Sequence, residues 1–440
     1  MKRPSTTNWC AMGSWSARVP LPFVVGCLTF GTGCSPVEVL DFFPNVGEGG
    51  ADARSVPAPE LVVDGTMNLS SFDGLGRSCG DGGDAVAYSV ASLTADVVTL
   101  ASVPSARCIL PGDEMLLINL QGAPGQSANV GSYELVTVAA VAEAQVELLA
   151  PKENDYGINA QNEGLGVTAD TQRAVLQRVP RYDRVEIQPG GVLLANPWDG
   201  TRGGVLALRA LREVVVDGRV AMDAAGFHGG RTIEPPESPG QQGESIEGVG
   251  EFAYVPNLGG GGGGIADQTT NGCQQDGYPG GGGGHVGRGS TAETRDLCNG
   301  VGAGEGGEPY VRSGRLFLGS GGGSAGTDNV RADNPPGGAG GDGGGIVWLL
   351  AGAVRGAGTI SADGAPGVGD PPGVECLGGS TADCYDHSGP GGGGAGGSVR
   401  ISAHDIDVGS ISAEGGPGGN GNDTVAGNGG DGANGLVALD

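Results

Sequence analysis

Residues 203–226 read GGVLALRALREVVVDGRVAMDAAG, residues 344–364 read GGIVWLLAGAVRGAGTISADG, and residues 396–415 read GGSVRISAHDIDVGSISAEG. Each stretch opens on a glycine pair and continues as an apolar strand. After a polar turn it resumes as a second strand that starts at Gly218, Gly358 or Gly409 and reaches Asp223, Asp363 or Glu414. A further copy begins as GLVALD at 435–440. The two strands keep their spacing while the chain between copies varies widely in length, which a stack of rungs tolerates because insertions leave its ladder undisturbed. The repeat predicts an all-β chain whose residues 181–440 form a glycine-rich β-solenoid or stacked β-sheet. Val220, Ile360 and Ile411 occupy equivalent positions and form one apolar stack inside. Asp223, Asp363 and Glu414 fall near the strand ends. Stacked carboxylates repel one another unless neutralised, so solvation and a bound cation are both open readings for this row.

Long insertions separate the copies, at about 228–343 and 367–397. They hold the runs Gly259–Gly264, Gly280–Gly284, Gly321–Gly323 and Gly391–Gly394. Of the 93 glycines, 23 lie in residues 1–200 and 70 in residues 201–440, so two regimes share the chain. No strict Gly-X-Y period exists, which excludes collagen. A flexible linker is the plain reading, because polyglycine carries the largest backbone entropy and buries no side chain. The cysteines within the insertions, the apolar RLFL at 315–318 and the low charge density speak for order instead. Glycine runs also pack side by side as extended left-handed helices with three residues per turn, bare backbone against bare backbone. On its glycine runs punctuated by cysteines, and on RLFLGSGGG at 315–323, residues 226–400 resemble the glycine-rich domain of the leukocyte and anaplastic lymphoma receptor tyrosine kinases. That resemblance implies a packing mode and no kinase, ligand or site residue. Strands of the GTISADG type alternating with glycine loops also resemble the glycine-rich surface proteins of bacteria.

Ahead of the repeat the pattern changes. The runs LVVDGTMNL (61–69), ADVVTLASV (95–103), DEMLLINLQG (113–122), YELVTVAAVAEAQVELLAP (133–151) and RAVLQRV (173–179) are Val- and Leu-rich, of strand length, and bounded by turn residues. They predict a small β-barrel-like domain over 61–180, with Gly112 and Asp113 turning the chain into a core strand and Glu114 on its exposed face. Residues 34–60, rich in Pro, Gly and acidic side chains, read as a tether.

Residues 1–33 combine a basic start with the apolar stretch VPLPFVVGCLTFGTG at 19–33, too short to span a bilayer and ending in small residues before Cys34. With Leu28, Gly31, Thr32 and Gly33 ahead of it, Cys34 resembles the acylated cysteine of a bacterial lipoprotein. That resemblance implies a lipid anchor and an extracytoplasmic, membrane-attached protein. Gly31 stands where such signals usually carry leucine. Apart from Cys10, Cys27 and Cys34, six cysteines remain, and their spacing suggests three local disulfides: Cys79 with Cys108, Cys273 with Cys298, and Cys376 with Cys384. Disulfides agree with an oxidising compartment. No CxxC pair exists and the four histidines (His228, His285, His387, His404) are far apart in sequence, which argues against a zinc site.

Lys plus Arg number 23 against 50 Asp plus Glu, a formal charge of −27, which excludes nucleic acid as a partner. GGNGNDTVA at 418–426 fits the calcium-binding nonapeptide, with Asp423 as the ligand, but the next stretch is out of register. GSGGGS at 319–324 has neither the ending of a P-loop nor the spacing of a nucleophile elbow. A solenoid enzyme acting on polysaccharide would use paired carboxylates or an arginine on adjacent rungs; Arg209, Asp217, Arg219 and Asp223 are the candidates, and a solvated face is their plainer reading. Together these features predict a membrane-anchored extracytoplasmic surface protein, structural or adhesive and without catalysis. It would contact an extracellular polysaccharide or a cell-surface protein. The alternatives are calcium-dependent polysaccharide binding and polysaccharide cleavage.

Overall fold

The computed structural model describes residues 58–232, 239–265, 277–293, 302–327, 336–369, 388–421 and 427–440. Sixteen strands and no helix occur among them: β1 (Leu61–Val63), β2 (Thr66–Asn68), β3 (Ala87–Leu93), β4 (Val97–Leu100), β5 (Glu114–Gln121), β6 (Tyr133–Ala142), β7 (Gln145–Leu148), β8 (Arg173–Arg178), β9 (Arg181–Ile187), β10 (Val192–Leu194), β11 (Val205–Val216), β12 (Arg219–Ala221), β13 (Ile346–Ser361), β14 (Ser398–Ser402), β15 (Asp405–Ser412) and β16 (Leu436–Leu439).

The repeat forms a parallel solenoid. Val220 stands over Ile360 and Ile360 over Ile411, as the equivalence of the three copies requires. The column continues below through Leu193 and Met67. A second column runs Leu61, Val185, Val214, Val354, Ile406, and a third runs Leu206, Val347, Val399, Val437. The twelve-residue β11 turns from one face to the next at an irregularity between Ala210 and Glu213, where a bulge bends the strand. Each fully buried Val, Leu or Ile of these columns contributes about 1.5–3 kcal/mol.

The lowest rung is β1 and β2, which pair in parallel with β9 and β10. The expected boundary at residue 61 is therefore corrected: Leu61–Asn68 belong to the solenoid, and the barrel is inserted between its first two rungs. The barrel is closed and antiparallel in the order β3-β4-β7-β6-β5-β8. Tyr88, Val90, Val98, Met115, Leu117, Val136, Val138, Val146 and Leu176 fill it. The outer side chains Leu116, Ile118 and Val175 pack on Val205, Ala207, Ile346 and Trp348 from the outer face of the solenoid. Burial on both faces explains why β5 and the start of β11 read as unbroken apolar runs. Gly112 makes the expected turn, with φ of +88°. Asp113 lies in that turn, just before β5, and Glu114 opens the strand half-buried instead of exposed. Asp113 is buried in a two-pronged ion pair with Arg77 at 2.7 and 2.5 Å. Glu114 receives Arg209 at 2.7 Å through both nitrogens, which ties barrel to solenoid.

Within the described residues the glycine insertions are an ordered third layer. Gly261 and Gly264 donate to Gly321 and Ser324, while Gly281 and Gly284 donate to Gly262 and Gly259. Gly319, Gly322 and Ala325 donate to Gly344, Gly341 and Gly338; Gly321 and Ser324 donate to Glu244 and Gln241. Donors that serve one neighbouring segment are three residues apart, and successive donors turn to different neighbours. That is the period of polyglycine II, in which each backbone is hydrogen-bonded on several sides and no side chain intervenes. Flexible linker is therefore the wrong description of these segments. Phe227, Tyr310, Leu316, Phe317 and Leu318 close the seam between this bundle, the barrel and the solenoid.

Candidate functional site

Arg209, Asp217, Arg219 and Asp223, candidates for polysaccharide cleavage with a solvated face as the plainer reading, are all engaged in structural contacts. Arg209 holds Glu114. Asp217 accepts the Ala357 amide at 3.0 Å. Asp223 takes Arg219 at 2.9 Å, the Ser361 hydroxyl at 3.0 Å and the Asp363 amide at 3.0 Å. Asp363 repeats this one rung on, accepting the Ser412 hydroxyl at 2.9 Å and the Glu414 amide at 2.7 Å. Asp223 and Asp363 thus form a ladder in which each carboxylate accepts a hydroxyl and an amide from the next rung, contacts that favour its charged form. Asp223→Ala is expected to cost about 1–2 kcal/mol in denaturant unfolding, since two donors of the neighbouring rung lose their acceptor. A cost below 0.3 kcal/mol would show that water replaces the carboxylate.

Cys79 and Cys108 form the expected local disulfide. Cys34, Cys273, Cys298, Cys376, Cys384 and Asp423 lie outside the described residues. Among the described residues, no group of three or more His, Cys, Asp or Glu side chains could hold a metal ion.

The structure assembles a different cluster, around Glu244, where barrel, solenoid and glycine bundle meet. Gln121 at the end of β5 donates to Glu244 Oε1 at 2.9 Å, and the Trp198 indole of the β10–β11 loop donates to the same oxygen at 3.1 Å. Arg173, at the start of β8, stands 3.9 Å from it and also bonds Gln121. His228 closes the other side, with its amide 3.1 Å and Nδ1 2.7 Å from Glu244 Oε2. Burial pushes the Glu244 carboxyl up, but His228, Gln121 and Trp198 outweigh it and hold the carboxyl below its usual range. The hydrogen bond to Glu244 in turn lifts the His228 imidazole above its ordinary value against the opposing effect of burial.

His228 is part-exposed and faces a hollow of about 250 Å³ lined also by Asp199, Arg231, Gln241, Gln242, Val249 and Gly250. A second hollow, of about 260 Å³, lies on the far side of Asp199 against Ser70, Asn196, Trp198 and Arg202. A carboxylate–imidazole pair is the base half of a catalytic triad, yet the first hollow presents no Ser, Thr or Cys to serve as nucleophile. What it presents is a set of charged side chains and hydrogen-bonding groups. The sequence carried no local signal of it: His228 stands in AAGFHGGR at 224–231 and Glu244 in GQQGESIE at 240–247.

No protein-family model matches this chain, and no curated protein matches it. Among solved structures it is similar to the tailspike protein gp49 from Pseudomonas phage LKA1, at 12% identity over 32% of this chain and 23% of that one, with a TM-score of 0.14. The Gp54 tailspike of Acinetobacter baumannii bacteriophage AP22, solved in complex with A. baumannii capsular saccharide, matches at 12% identity over 38% of this chain and 31% of its own, with a TM-score of 0.16. The Pseudomonas phage phi297 tailspike gp61 gives 12%, 37%, 27% and 0.16 in the same order. This chain thus spans less than a third of each, and likenesses of this size assign no function.

Proposed function

We propose that this chain is an extracytoplasmic surface protein, anchored through Cys34, whose work is structural and adhesive rather than catalytic. The observation that carries the reading is the interlocking of its three parts. A barrel is inserted in a solenoid, and a polyglycine bundle is welded to both through the seam at Phe227, Tyr310 and Phe317. Such a body holds its shape by backbone hydrogen bonds and presents a surface of high negative charge. The placement of Arg209, Asp217, Arg219 and Asp223 in structural contacts adds support, because the residues most suited to polysaccharide cleavage are already committed.

Anchoring is tested by fractionating cells that express the full chain. The wild type is expected in the membrane fraction and open to protease on intact cells, and Cys34→Ala is expected to fall there at least tenfold, because a sole lipid attachment is lost. Equal membrane recovery of the two proteins would refute the anchor. Polysaccharide turnover by the purified chain that disappears with Asp223→Ala would refute the non-catalytic reading.

A further inference from the structure

The hollow beside Glu244 holds three polar groups that the fold leaves available. His228 commits Nδ1 to Glu244, and Nε2 has no partner among the described residues. The Arg231 guanidinium likewise has no hydrogen bond or ion pair among them; only its backbone is engaged, the amide with Gln241 Oε1 and the carbonyl with the Ser324 hydroxyl, each at 3.1 Å. Asp199 uses Oδ1 for the amides of Thr201 and Arg202 and the Thr201 hydroxyl, leaving Oδ2 a loose 3.7 Å contact with Arg202 Nε. The two glutamines of the wall are engaged through both their oxygen and their nitrogen. Gln241 donates to the Gly250 carbonyl, and Gln242 donates to the Val255 carbonyl while accepting the Glu251 amide. Those bonds hold segment 249–255 against the hollow, and the segment exposes Val249, Phe252, Tyr254 and Val255.

The balance of these groups selects the ligand. Two nitrogen donors, one permanently cationic and one protonatable, sit together in a chain of formal charge −27. A metal cation or a basic peptide would meet Arg231 first. An arginine and an imidazolium suit a carboxylate, the arginine through two parallel hydrogen bonds. The free Asp199 oxygen suits a hydroxyl on the same molecule, and the exposed apolar strip beside it suits a ring's C–H face. At about 250 Å³ the hollow is smaller than the roughly 300–1,000 Å³ usual for drug-sized ligands, so it takes a single ring. We propose that this hollow binds the uronate unit of an acidic polysaccharide, with Arg231 and His228 on the carboxylate and Asp199 Oδ2 on a ring hydroxyl.

The assignment rests on the adhesive reading only for where the ligand is met. It is tested on the purified full chain by titration calorimetry with tetragalacturonate and with its fully methyl-esterified form. The free acid is expected to bind saturably and the ester at least tenfold more weakly. Arg231→Gln is expected to weaken the free acid about tenfold with an unchanged melting temperature, since Arg231 is exposed, and Arg231→Lys to restore part of the loss. His228 is surrounded by Glu244, Asp342 and Arg231, with Arg173 behind Glu244. Protonation there is favoured overall, so affinity is expected to fall as pH rises through the imidazole's raised pKa, and His228→Gln is expected to flatten that profile. No saturable binding, equal binding of acid and ester, or indifference to Arg231→Gln would each overturn the assignment. Loss of the membrane anchor would leave all these results unchanged, so the two proposals fail separately.

Discussion

Gly323→Ala is expected to destabilise the chain by about 4 kcal/mol or more in denaturant unfolding, among the exceptional values for a single substitution. A Cβ at this position would lie 1.9 Å from the Gly262 carbonyl oxygen and 2.5 Å from its carbon. The obstacle is backbone, so no rotamer change relieves it. The segments would have to separate by more than an ångström. Separation would break the bonds that join the two segments on either side of this contact, Gly261 to Gly321 and Gly264 to Ser324, at 3.0 and 2.9 Å, leaving buried amides and carbonyls without partners at about 1–3 kcal/mol each. Gly65 is the control: nothing lies within 4 Å of a Cβ built there, and Gly65→Ala is expected within about 0.5 kcal/mol of wild type. Equal stability of the two variants would mean that the glycine segments do not pack as described.

A second large effect is expected from acid. His285 is fully buried, 5.3 Å from the Tyr310 ring and 6.3 Å from the Phe317 ring between centroids, with Nδ1 unpartnered and Nε2 only 3.5 Å from the Phe317 carbonyl. Burial pushes its imidazole down to about 4 from 6.5. The unfolded chain therefore binds this proton more readily than the native one. Its contribution to stability is complete above pH 6.5 and is lost as pH falls towards 4, by about 3 kcal/mol in total. His228 acts in the opposite sense: its raised pKa favours the native state at low pH, and that contribution is lost as pH rises through it. Unfolding free energies between pH 7.5 and 4.5 are expected to fall in the wild type and to lose most of that slope in His285→Phe, which keeps the ring contacts and removes the proton site. An unchanged slope in the variant would show that the acid sensitivity lies in other groups.

The ladder positions of the solenoid were legible because a strand that stacks on its own copies repeats its pattern, and Val220, Ile360 and Ile411 fall in register on that ground alone. The barrel strands were legible as apolar runs bounded by turns. The lowest rung was not, since β1 and β2 have three residues each and carry no period. Glu244 was not either. Its partner Gln121 lies 123 residues away, and a buried carboxylate is stabilised by whichever donors the fold brings to it, which no local spacing encodes.

What the sequence determined by itself was the all-β class, the stacking of the copies and the Cys79–Cys108 bridge, because each follows from residues near one another or repeated in kind. Tertiary structure alone decided that the glycine segments are a packed bundle. A glycine offers no side chain to signal its environment, and whether its bare backbone finds partners depends on the register of segments such as 259–264, 280–284 and 319–326 that are distant in the chain. It likewise decided that Asp223 and Asp363 accept hydrogen bonds from the next rung, since a carboxylate takes the nearest donors, and those are set by how one turn of the solenoid sits on another.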